Sequence, residues 1–273
     1  MIDKNQPLIE LNFVAFDIET TGLMPVVNKI VEIGAVKFRS GKVAETFQEL
    51  VDPQQHIPSD ATSVNGITDD MVKGKPTIED VLPRFIDFLG NAVPIAHNAP
   101  FDVSFLAYDI SRLNLKVENK PILDTCVIPK RIFPHLSSYS LENLANDLHI
   151  KSTGFHRALE DAKVCMEIFI QCINEMGDSD QLTLQDILDV NGHSIDFDPG
   201  EIVLDETFLP LKEAMESGNA IEIVYQDARG AITTRQVTPL SLGYGRSAAI
   251  LEAFCHVRQD KRNFRLDRIL EIR

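Results

Sequence analysis

The order of short apolar runs along residues 13–176 constrains the fold of this sequence more than any other feature. Three strand-like runs come first, and helix-like segments then alternate with further strand-like runs. The first run, residues 13–18, is apolar up to Asp17, which is typical of a strand buried on both faces. This order predicts an α/β fold in which helices flank a mixed sheet.

The boundaries of these elements follow from the periodicity of the apolar residues. Strands are predicted at 13–18, 30–38, 46–51, 93–96 and 122–127. Helices are predicted at 77–89, 101–113, 140–148 and 157–176. Asn98 is a candidate cap of the second helix, and Pro100 lies near its first turn.

A change of composition after residue 176 divides the chain. Residues 177–204 hold no Lys or Arg and are rich in acidic and turn-forming residues, so they are predicted to form a linker with one helical turn around 184–188. Residues 205–273 are predicted to form a small β-rich domain, with a helix at 208–217 and alternating segments after it. The predicted domains are therefore 8–176, 177–204 and 205–273.

The net charge of −15 is unusual for a protein that binds nucleic acid, because Lys and Arg contacts to phosphate supply much of the affinity. Residues 1–204 carry the whole excess, with 16 Lys and Arg against 31 Asp and Glu, whereas residues 205–273 carry 10 of each. No apolar run approaches the ~20 residues that span a bilayer, and no secretory signal is visible, so a cytoplasmic location is expected. The four cysteines form no CxxC pair, which argues against a zinc site or a disulfide.

Two carboxylates, Asp17 and Glu19, stand two residues apart at the end of the first predicted strand. Side chains alternate faces along a strand, so both carboxylates are expected to point the same way. Charges at the end of an apolar strand need compensation, and hard divalent cations favour carboxylate oxygens. A solvated turn or helix cap is the alternative, since Thr20, Thr21 and Gly22 follow.

Three further residues complete a candidate site. Asp102 falls in the first turn of a predicted helix, where the helix N-terminus should keep it ionised. Asp161 follows His156 by five positions, and two residues of one helix at that spacing would lie ~140° apart. The histidine is therefore expected on the loop before the helix, which Gly154 permits, and the aspartate one turn into it.

The segments around these residues resemble the DEDDh family of 3′→5′ exonucleases, which have a ribonuclease H-like fold. The matching segments are FDIETTGL (16–23), HNAPFDVSFL (97–106) and HRALEDA (156–162), supported by VNGIT (64–68), LDT (123–125) and YSLENLANDL (139–148). The resemblance covers roughly residues 10–176, and all five chemical positions are filled in order. Asn65 stands where the family often has His.

The resemblance implies a two-metal mechanism. Asp17 would bridge two Mg²⁺ ions, Glu19 and Asp161 would bind the first ion, and Asp102 would support the second, with Mn²⁺ able to substitute. His156 would accept a proton from the attacking water, which an imidazole can do near neutral pH. The product would be a 5′-mononucleotide released from a single-stranded or frayed 3′ end of DNA or RNA, and DNA in repair or proofreading is the main expectation.

The resemblance also implies a pocket for the terminal nucleotide. The residues it places there are Thr20, Thr21, Gly22, Leu23, Ile67, Asn98 and Phe101. Leu23 and Phe101 are apolar and could pack against a base or a sugar, although ordinary core packing is an equal alternative. Without a wide basic groove, digestion is expected to be distributive.

Residues 221–273 resemble a WYL domain, a small Sm-like β-barrel. The supporting segments are 221–242 and 262–269, but the Trp and Tyr that name the family are absent. Basic residues cluster here and could contact phosphate or form a solvated charged edge: Arg258, Lys261, Arg262, Arg265, Arg268 and Arg273.

Three other functions remain open from the sequence. An exonuclease that trims RNA 3′ ends would carry the same five residues, because nothing in the sequence reads a 2′-hydroxyl. A regulator that senses nucleic acid would use the nuclease fold only for binding, although the intact set of five residues argues against that. A small-molecule sensor would act through the C-terminal domain.

Overall fold

The structure is a computed structural model that describes residues 2–23, 25, 28–152, 154–178, 180–192, 195–197, 209–227, 230–245 and 248–273. The chain forms two compact units, one within Met1–Leu23 and Lys29–Phe197 and the other containing Asp198–Arg273. The elements of the first unit, in chain order, are β1 (Phe13–Thr20), β2 (Ile30–Arg39), β3 (Lys42–Leu50), α1 (Ser59–Asn65), α2 (Asp69–Val72), α3 (Ile78–Leu89), β4 (Val93–Ala96), α4 (Ala99–Arg112), β5 (Leu123–Asp124), α5 (Ile128–Ile132), α6 (Leu141–Asp147), α7 (Ala158–Met176) and α8 (Leu184–Asn191).

A five-stranded mixed sheet with the order β3-β2-β1-β4-β5 organises the first unit. Strand β1 lies at its centre, antiparallel to β2 and parallel to β4. A central strand contacts protein on both faces, which explains why the run from Phe13 to Phe16 is apolar at every position. The predicted α/β fold with a mixed sheet and flanking helices is confirmed.

Helix α7 covers one face of this sheet. Phe13 and Phe38 from the two central strands pack against Phe169 of α7, with ring centroids 5.1 and 6.3 Å from it. Burying an aromatic side chain of this size contributes roughly 1.5–3 kcal/mol to stability. Cys165 and Cys172 of α7 are buried in the same core.

Helices α3 and α4 cover the opposite face. Their buried residues pack against the alternate side chains of the central strands, including Phe16 and Ile33. Because α3 and α7 lie on opposite faces, side chains two apart along β1 all meet the same helix layer. This alternation directs Asp17 and Glu19 towards α7, together with Phe13 and Ala15.

In the first sheet and its helices, the structure differs from the predicted elements at three short helices and two strands. Helices α1, α2 and α5 were not predicted, because runs of four to seven residues show no helical periodicity. Strand β3 begins at Lys42 rather than residue 46, since its exposed polar residues continue the hairpin with β2. Strand β5 keeps only two of the six residues predicted at 122–127, because a turn closes where Val127 N–H donates to the Asp124 carbonyl.

The predicted linker, 177–204, contains an ordered helix in its described part. Helix α8 begins at a capping box formed by Thr183 and Asp186, and its side chains Leu184 and Ile187 are fully buried in the core under α7. The sequence predicts a single turn here because α8 is short and acidic. Residues 198–204 lie outside the described part, so the boundary between linker and C-terminal domain stays a prediction.

The second unit contains one described helix and a five-stranded antiparallel sheet of order β10-β6-β7-β8-β9. Its elements are α9 (Leu209–Ser217), β6 (Ile221–Gln226), β7 (Ile232–Gly245), β8 (Ala248–Cys255), β9 (Asp260–Arg265) and β10 (Ile269–Ile272). A 3₁₀ turn at Leu266–Arg268 separates β9 from β10. Leu211 of α9, Ile223, Val237 and Leu251 form a small separate core.

Among the helices that the structure describes in either unit, none is long and apolar enough to cross a membrane.

Candidate active site

The face of the sheet under α7 changes from apolar to acidic along β1. Phe13 and Ala15 pair with Phe38 and Val36 at one end. At the other end Asp17 lies opposite Gly34 and Glu19 lies opposite Glu32. The N-terminus of α7 arrives over this acidic end, where the positive end of the helix dipole favours negative charge.

Three carboxylates converge at this point. Asp17 and Glu19 come from β1, and Asp161 comes from the first turn of α7. One oxygen from each lies within 4.8 Å of the others, and these three are the group of potential metal ligands found among the described residues. Strand alternation predicts that Asp17 and Glu19 share a face, the family resemblance implies that Asp161 joins them, and the structure brings the three together.

Asp102 lies in the first turn of α4, on the other side of β1. Its side chain is buried, and its Oδ1 accepts a hydrogen bond of 3.0 Å from the Ile18 backbone N–H. Burial raises the pKa of Asp17, and repulsion from Asp102 adds to this rise. Asp102 is nevertheless outside the tight group of three oxygens.

Burial is the main cause of raised pKa values throughout the cluster, and mutual repulsion adds to it. Burial and repulsion from Asp161 raise the pKa of Glu19 from 4.5 to about 8. Burial likewise raises the pKa of Asp161 to about 6, although the His156 backbone N–H opposes it. The pKa values of Asp17 and Asp102 are raised well above their ordinary range. For Asp102, burial therefore outweighs the helix N-terminus that was expected to keep it ionised.

The hydrogen bonds of the Asp161 carboxylate indicate whether a cation fits this cluster. Asp161 Oδ2 accepts the His156 N–H at 3.0 Å, but Oδ1 is buried without any hydrogen-bond partner, the single such side-chain atom in the described part of the chain. A buried acceptor without a partner is costly, and a bound cation would satisfy it. Repelling carboxylates and an unsatisfied oxygen both suit a divalent cation with oxygen ligands.

His156 lies on the loop before α7, where the sequence analysis places it. Its side chain is exposed, and its backbone adopts a left-handed conformation with φ +64°. Gly154 also has a positive φ, +159°, which L residues rarely adopt, so the glycine takes the role in this loop that the sequence predicts. The bond from the His156 N–H to Asp161 holds the left-handed residue against the start of α7.

Glu32 is buried beside the cluster and pairs with the partly exposed Arg157, and neither residue was predicted to have a role. Glu32 is fully buried, and its carboxylate accepts bonds of 3.0 and 2.7 Å from the Arg157 guanidinium. Gln48 Nε2 and the Ala158 backbone N–H also donate to it. The sequence feature that could have indicated a role is Glu32 itself, a single charged residue in the apolar run 30–36.

Thr20, Thr21 and Gly22 form a hydrogen-bonded turn at the end of β1. The Thr20 hydroxyl donates to the Gly22 carbonyl at 2.5 Å. The Thr21 hydroxyl accepts from the Lys29 backbone N–H and from Gln55 Nε2, both at 2.9 Å. The side chains of both threonines are therefore engaged within the protein, and Thr21 is almost completely buried.

Leu23 and Phe101 differ from Ile67 in exposure. The Leu23 side chain is 77% exposed, which excludes core packing for this residue. Phe101 is half-buried beside Phe105, with ring centroids 5.3 Å apart. Ile67 is fully buried in a cluster with Val31, so its side chain is a core group.

Asn98 and Asn65 hold the backbone near these residues. Asn98 is the residue before α4 and is left-handed, with φ +60°, but its side chain makes no capping bond. Its backbone N–H donates instead to Asp124 at 2.9 Å. Asn65 Nδ2 donates to the Thr20 carbonyl at 3.3 Å, and its Oδ1 accepts the Ile67 N–H at 3.0 Å. Asn65 thereby ties α1 to the end of β1.

Known proteins match both units of the chain. The family model of the RNase T exonucleases matches residues 14–169, and the model of the WYL domain matches residues 206–273. The chain is 43% identical over 184 residues to the PolC-type DNA polymerase III of Caldanaerobacter subterraneus subsp. tengcongensis, a match to 64% of this chain and 13% of that protein. It therefore spans only about an eighth of such polymerases.

Two further relatives are closer to this chain in size. The DNA polymerase III subunit epsilon of Aquifex aeolicus is 34% identical over 169 residues, which are 62% of this chain and 84% of that subunit. The solved structure of exonuclease X in complex with 5′ overhanging duplex DNA is 29% identical, with a TM-score of 0.52, and the match covers 67% of this chain and 99% of that one. Since the exonuclease model spans more than half of the sequence, the chain belongs to the RNase T family of exonucleases.

Proposed function

We propose that this protein is a metal-dependent 3′→5′ exonuclease that releases 5′-mononucleotides from the 3′ ends of DNA. The convergence of Asp17, Glu19 and Asp161 to within 4.8 Å, with a buried Asp161 oxygen that lacks a partner, carries this proposal. Membership of an exonuclease family supports the class of reaction, which is hydrolysis of a phosphodiester bond.

The four carboxylates have different positions and so different roles. Asp17, Glu19 and Asp161 would hold one divalent ion between β1 and α7, and Asp17 would share a second ion with Asp102 across β1. Mg²⁺ is the proposed ion and Mn²⁺ its substitute, because both prefer carboxylate oxygens. When bound, such a pair of ions stabilises charge on the attacking and leaving oxygens of an in-line displacement.

His156 is proposed to remove a proton from the attacking water. The exposed side chain leaves the imidazole accessible to water and substrate at the rim of the acidic cluster. The hydrogen bond from its backbone N–H to Asp161 fixes the position of its backbone relative to the carboxylates. A positioned general base of this kind typically contributes 10²–10⁴-fold to the rate.

The terminal nucleotide is proposed to lie beside the turn after β1. Leu23 offers an exposed apolar surface there, and Phe101 a half-buried ring on α4. The backbone of Thr20, Thr21 and Gly22 would line the sugar and phosphate, with Asn98 and the backbone of Ile67 nearby. The side chain of Ile67 takes no part because it is buried.

DNA is the proposed substrate because the relatives are DNA polymerase III proteins, and exonuclease X was solved with duplex DNA. The net charge of −15 argues for short contacts to a single-stranded or frayed 3′ end rather than a long duplex footprint. Such contacts favour release after each cleavage, so digestion is proposed to be distributive.

The C-terminal domain, residues 205–273, is proposed to add phosphate contacts. Arg258, Lys261 and Arg262 are exposed around strand β9. Arg273 is different, because it forms ion pairs of 3.3 and 2.8 Å with Glu222 and Glu271 and so belongs to a charged edge of the sheet.

Digestion of labelled oligonucleotides tests the proposed function. Single-stranded DNA, blunt duplex DNA and RNA of the same sequence, each labelled at the 5′ end, are incubated with Mg²⁺ or with EDTA. The expected result is a ladder shortened from the 3′ end of DNA, with 5′-mononucleotide products, only with the metal ion.

Two variants of one helix serve as controls for this assay. Asp161→Asn should be inactive, whereas Glu175→Gln changes an exposed carboxylate of α7 and should be fully active. Faster degradation of RNA than of DNA would favour the RNA-trimming alternative. Binding without cleavage of any substrate would favour a nucleic-acid sensor.

A further inference from the structure

Glu32 is the most completely satisfied buried charge near the candidate active site. It is fully buried on β2, and its two oxygens accept four hydrogen bonds. Three of these come from the segment that starts α7, two from the Arg157 guanidinium and one from the Ala158 backbone N–H. A carboxylate bound in this way is fixed in both position and orientation.

The start of α7 depends on this carboxylate. The first backbone N–H groups of a helix have no partner within the helix, and a capping side chain usually satisfies one of them. Arg157, the residue before α7, makes no such capping bond with its side chain. Glu32 replaces the cap from the neighbouring strand by accepting the Ala158 N–H at 3.1 Å.

Gly34 allows the close approach that this arrangement requires. A methyl group at Gly34 would overlap the backbone of Ala158 and Leu159, so the first turn of α7 lies directly on β2. Glu32 and Gly34 point to the same face of β2, two residues apart. Gly34 therefore leaves room for α7, and Glu32 fixes the position of its first residue.

The fixed segment carries two residues of the proposed reaction. His156 comes immediately before Arg157, and Asp161 lies three residues after Ala158. The His156 N–H donates to Asp161, so both move with the backbone that Glu32 holds. Glu32 also lies opposite Glu19 where β1 pairs with β2. The residue that holds the start of α7 is therefore paired with the strand that carries Asp17.

We propose that Glu32 is a positioning residue for the exonuclease reaction, and that its clamp on Arg157 and Ala158 sets the distance from His156 and Asp161 to the carboxylates of β1. This inference rests on the proposed function. It predicts that loss of the clamp weakens metal binding and slows the reaction, while the bound oligonucleotide is held as before. Groups that orient metal ligands in this way typically change metal affinity or activity 10–100-fold.

A pair on the opposite face of the sheet provides a matched control. Arg84 of α3 binds Glu49 of β3 at 2.7 Å, so it also joins a helix to the sheet through an arginine and a glutamate. Glu49 pairs with Ile33, whose side chain belongs to the core under α3 rather than to the face under α7. Loss of this pair removes an ion pair of the same type without touching the start of α7, although Glu49 is 31% exposed and Glu32 is buried.

The test compares Glu32→Gln and Arg157→Lys with Glu49→Gln and Arg84→Lys in the full chain. Mn²⁺ affinity is measured from the electron paramagnetic resonance signal of free Mn²⁺, and kcat and KM with a single-stranded oligonucleotide. Circular dichroism and urea unfolding establish that each variant is folded. Glu32→Gln should weaken Mn²⁺ binding and lower kcat, each ~10–100-fold, with KM changed less than about threefold.

Arg157→Lys keeps a positive charge near Glu32 but loses the two-pronged bond, so it should also lower kcat at least ~10-fold. This variant carries the test if Glu32→Gln does not fold. Both control variants should match the wild-type protein in Mn²⁺ affinity and kcat.

Three results would overturn the proposal. One is a folded Glu32→Gln protein with wild-type Mn²⁺ affinity and kcat, and another is an Arg157→Lys protein with unchanged kcat. The third is an equal loss in the Glu49 and Arg84 variants. If the wild-type protein binds Mn²⁺ but degrades no nucleic acid, the proposed function fails, and the Mn²⁺ affinities alone then decide whether the clamp exists.

Discussion

Replacing Glu19 with glutamine should stabilise the metal-free protein at alkaline pH. Burial and repulsion from Asp161 and Glu32 raise the pKa of Glu19 from 4.5 to about 8 in the folded chain. Between those two values the folded state binds more protons than the unfolded state. The free energy of unfolding therefore falls as pH rises through this window, and the stability present below pH 4.5 is lost by about pH 8.

The size of this effect follows from the shift in pKa. Each unit corresponds to 1.36 kcal/mol, so the rise from 4.5 to about 8 sets an upper limit of about 5 kcal/mol for the loss. Water entering the partly open cluster and relaxation of the loop reduce it, so about 2–4 kcal/mol is expected. Glutamine carries no charge, so the Glu19→Gln protein should lack this part of the pH dependence.

Urea unfolding followed by circular dichroism at pH 5, 6.5 and 8 measures the difference, first with EDTA and then with Mn²⁺. With EDTA, Glu19→Gln should unfold at higher urea concentration than the wild type at pH 8 and at a similar concentration at pH 5. A ligand that binds only the folded state stabilises it, so Mn²⁺ should raise wild-type stability far more than that of the variant. The order of stability should then reverse.

Glu175→Gln, an exposed substitution on α7, should behave like the wild type throughout. The reasoning is refuted if Glu19→Gln with EDTA at pH 8 is no more stable than the wild type. Equal stabilisation of both proteins by Mn²⁺ would also refute it.

Three further outcomes are expected. His156→Asn keeps a residue that tolerates the left-handed backbone but removes the imidazole, so kcat should fall ~10²–10⁴-fold with Mn²⁺ affinity unchanged; a wild-type kcat would exclude the proposed base. Gly34→Ala forces the start of α7 off β2 and should cost about 1–3 kcal/mol of unfolding free energy in urea, and an unchanged midpoint would contradict the close approach. Lys261→Gln combined with Arg262→Gln should weaken oligonucleotide binding and reduce its salt dependence. If the dependence of binding on salt concentration is unaltered, these residues of the C-terminal domain do not contact phosphate.

Local sequence patterns predict most of the nuclease fold, because buried strands and amphipathic helices leave direct periodic signals. Strand β4 occupies the predicted residues, and α7 begins one residue after its predicted start. The short helices α1, α2 and α5 were missed because helices of four to seven residues are too short to show a period.

Strand alternation places Asp17 and Glu19 on one face, and only the family resemblance implies that Asp161 meets them. Neither gives the distances or the hydrogen-bond partners of these residues. That Glu19 lies opposite Glu32 is a matter of register between two strands, which depends on the whole sheet. The left-handed backbone of His156 was likewise not foreseen, although Gly154 has the positive φ that was expected of the loop. The pKa values of the cluster depend on burial, which only the packed structure supplies.

Helix α8 has a practical consequence for anyone who wishes to excise the nuclease unit. Leu184 and Ile187 fill the core beneath α7, Asn191 Oδ1 accepts the Asp124 N–H at 2.9 Å, and Phe197 packs beside Phe16. A fragment cut where the family match ends, near residue 169, would expose that core. It would also remove the hydrogen bond between Asn191 and β5. The smallest piece worth expressing alone therefore runs through Phe197, and shorter pieces should be recovered as aggregates.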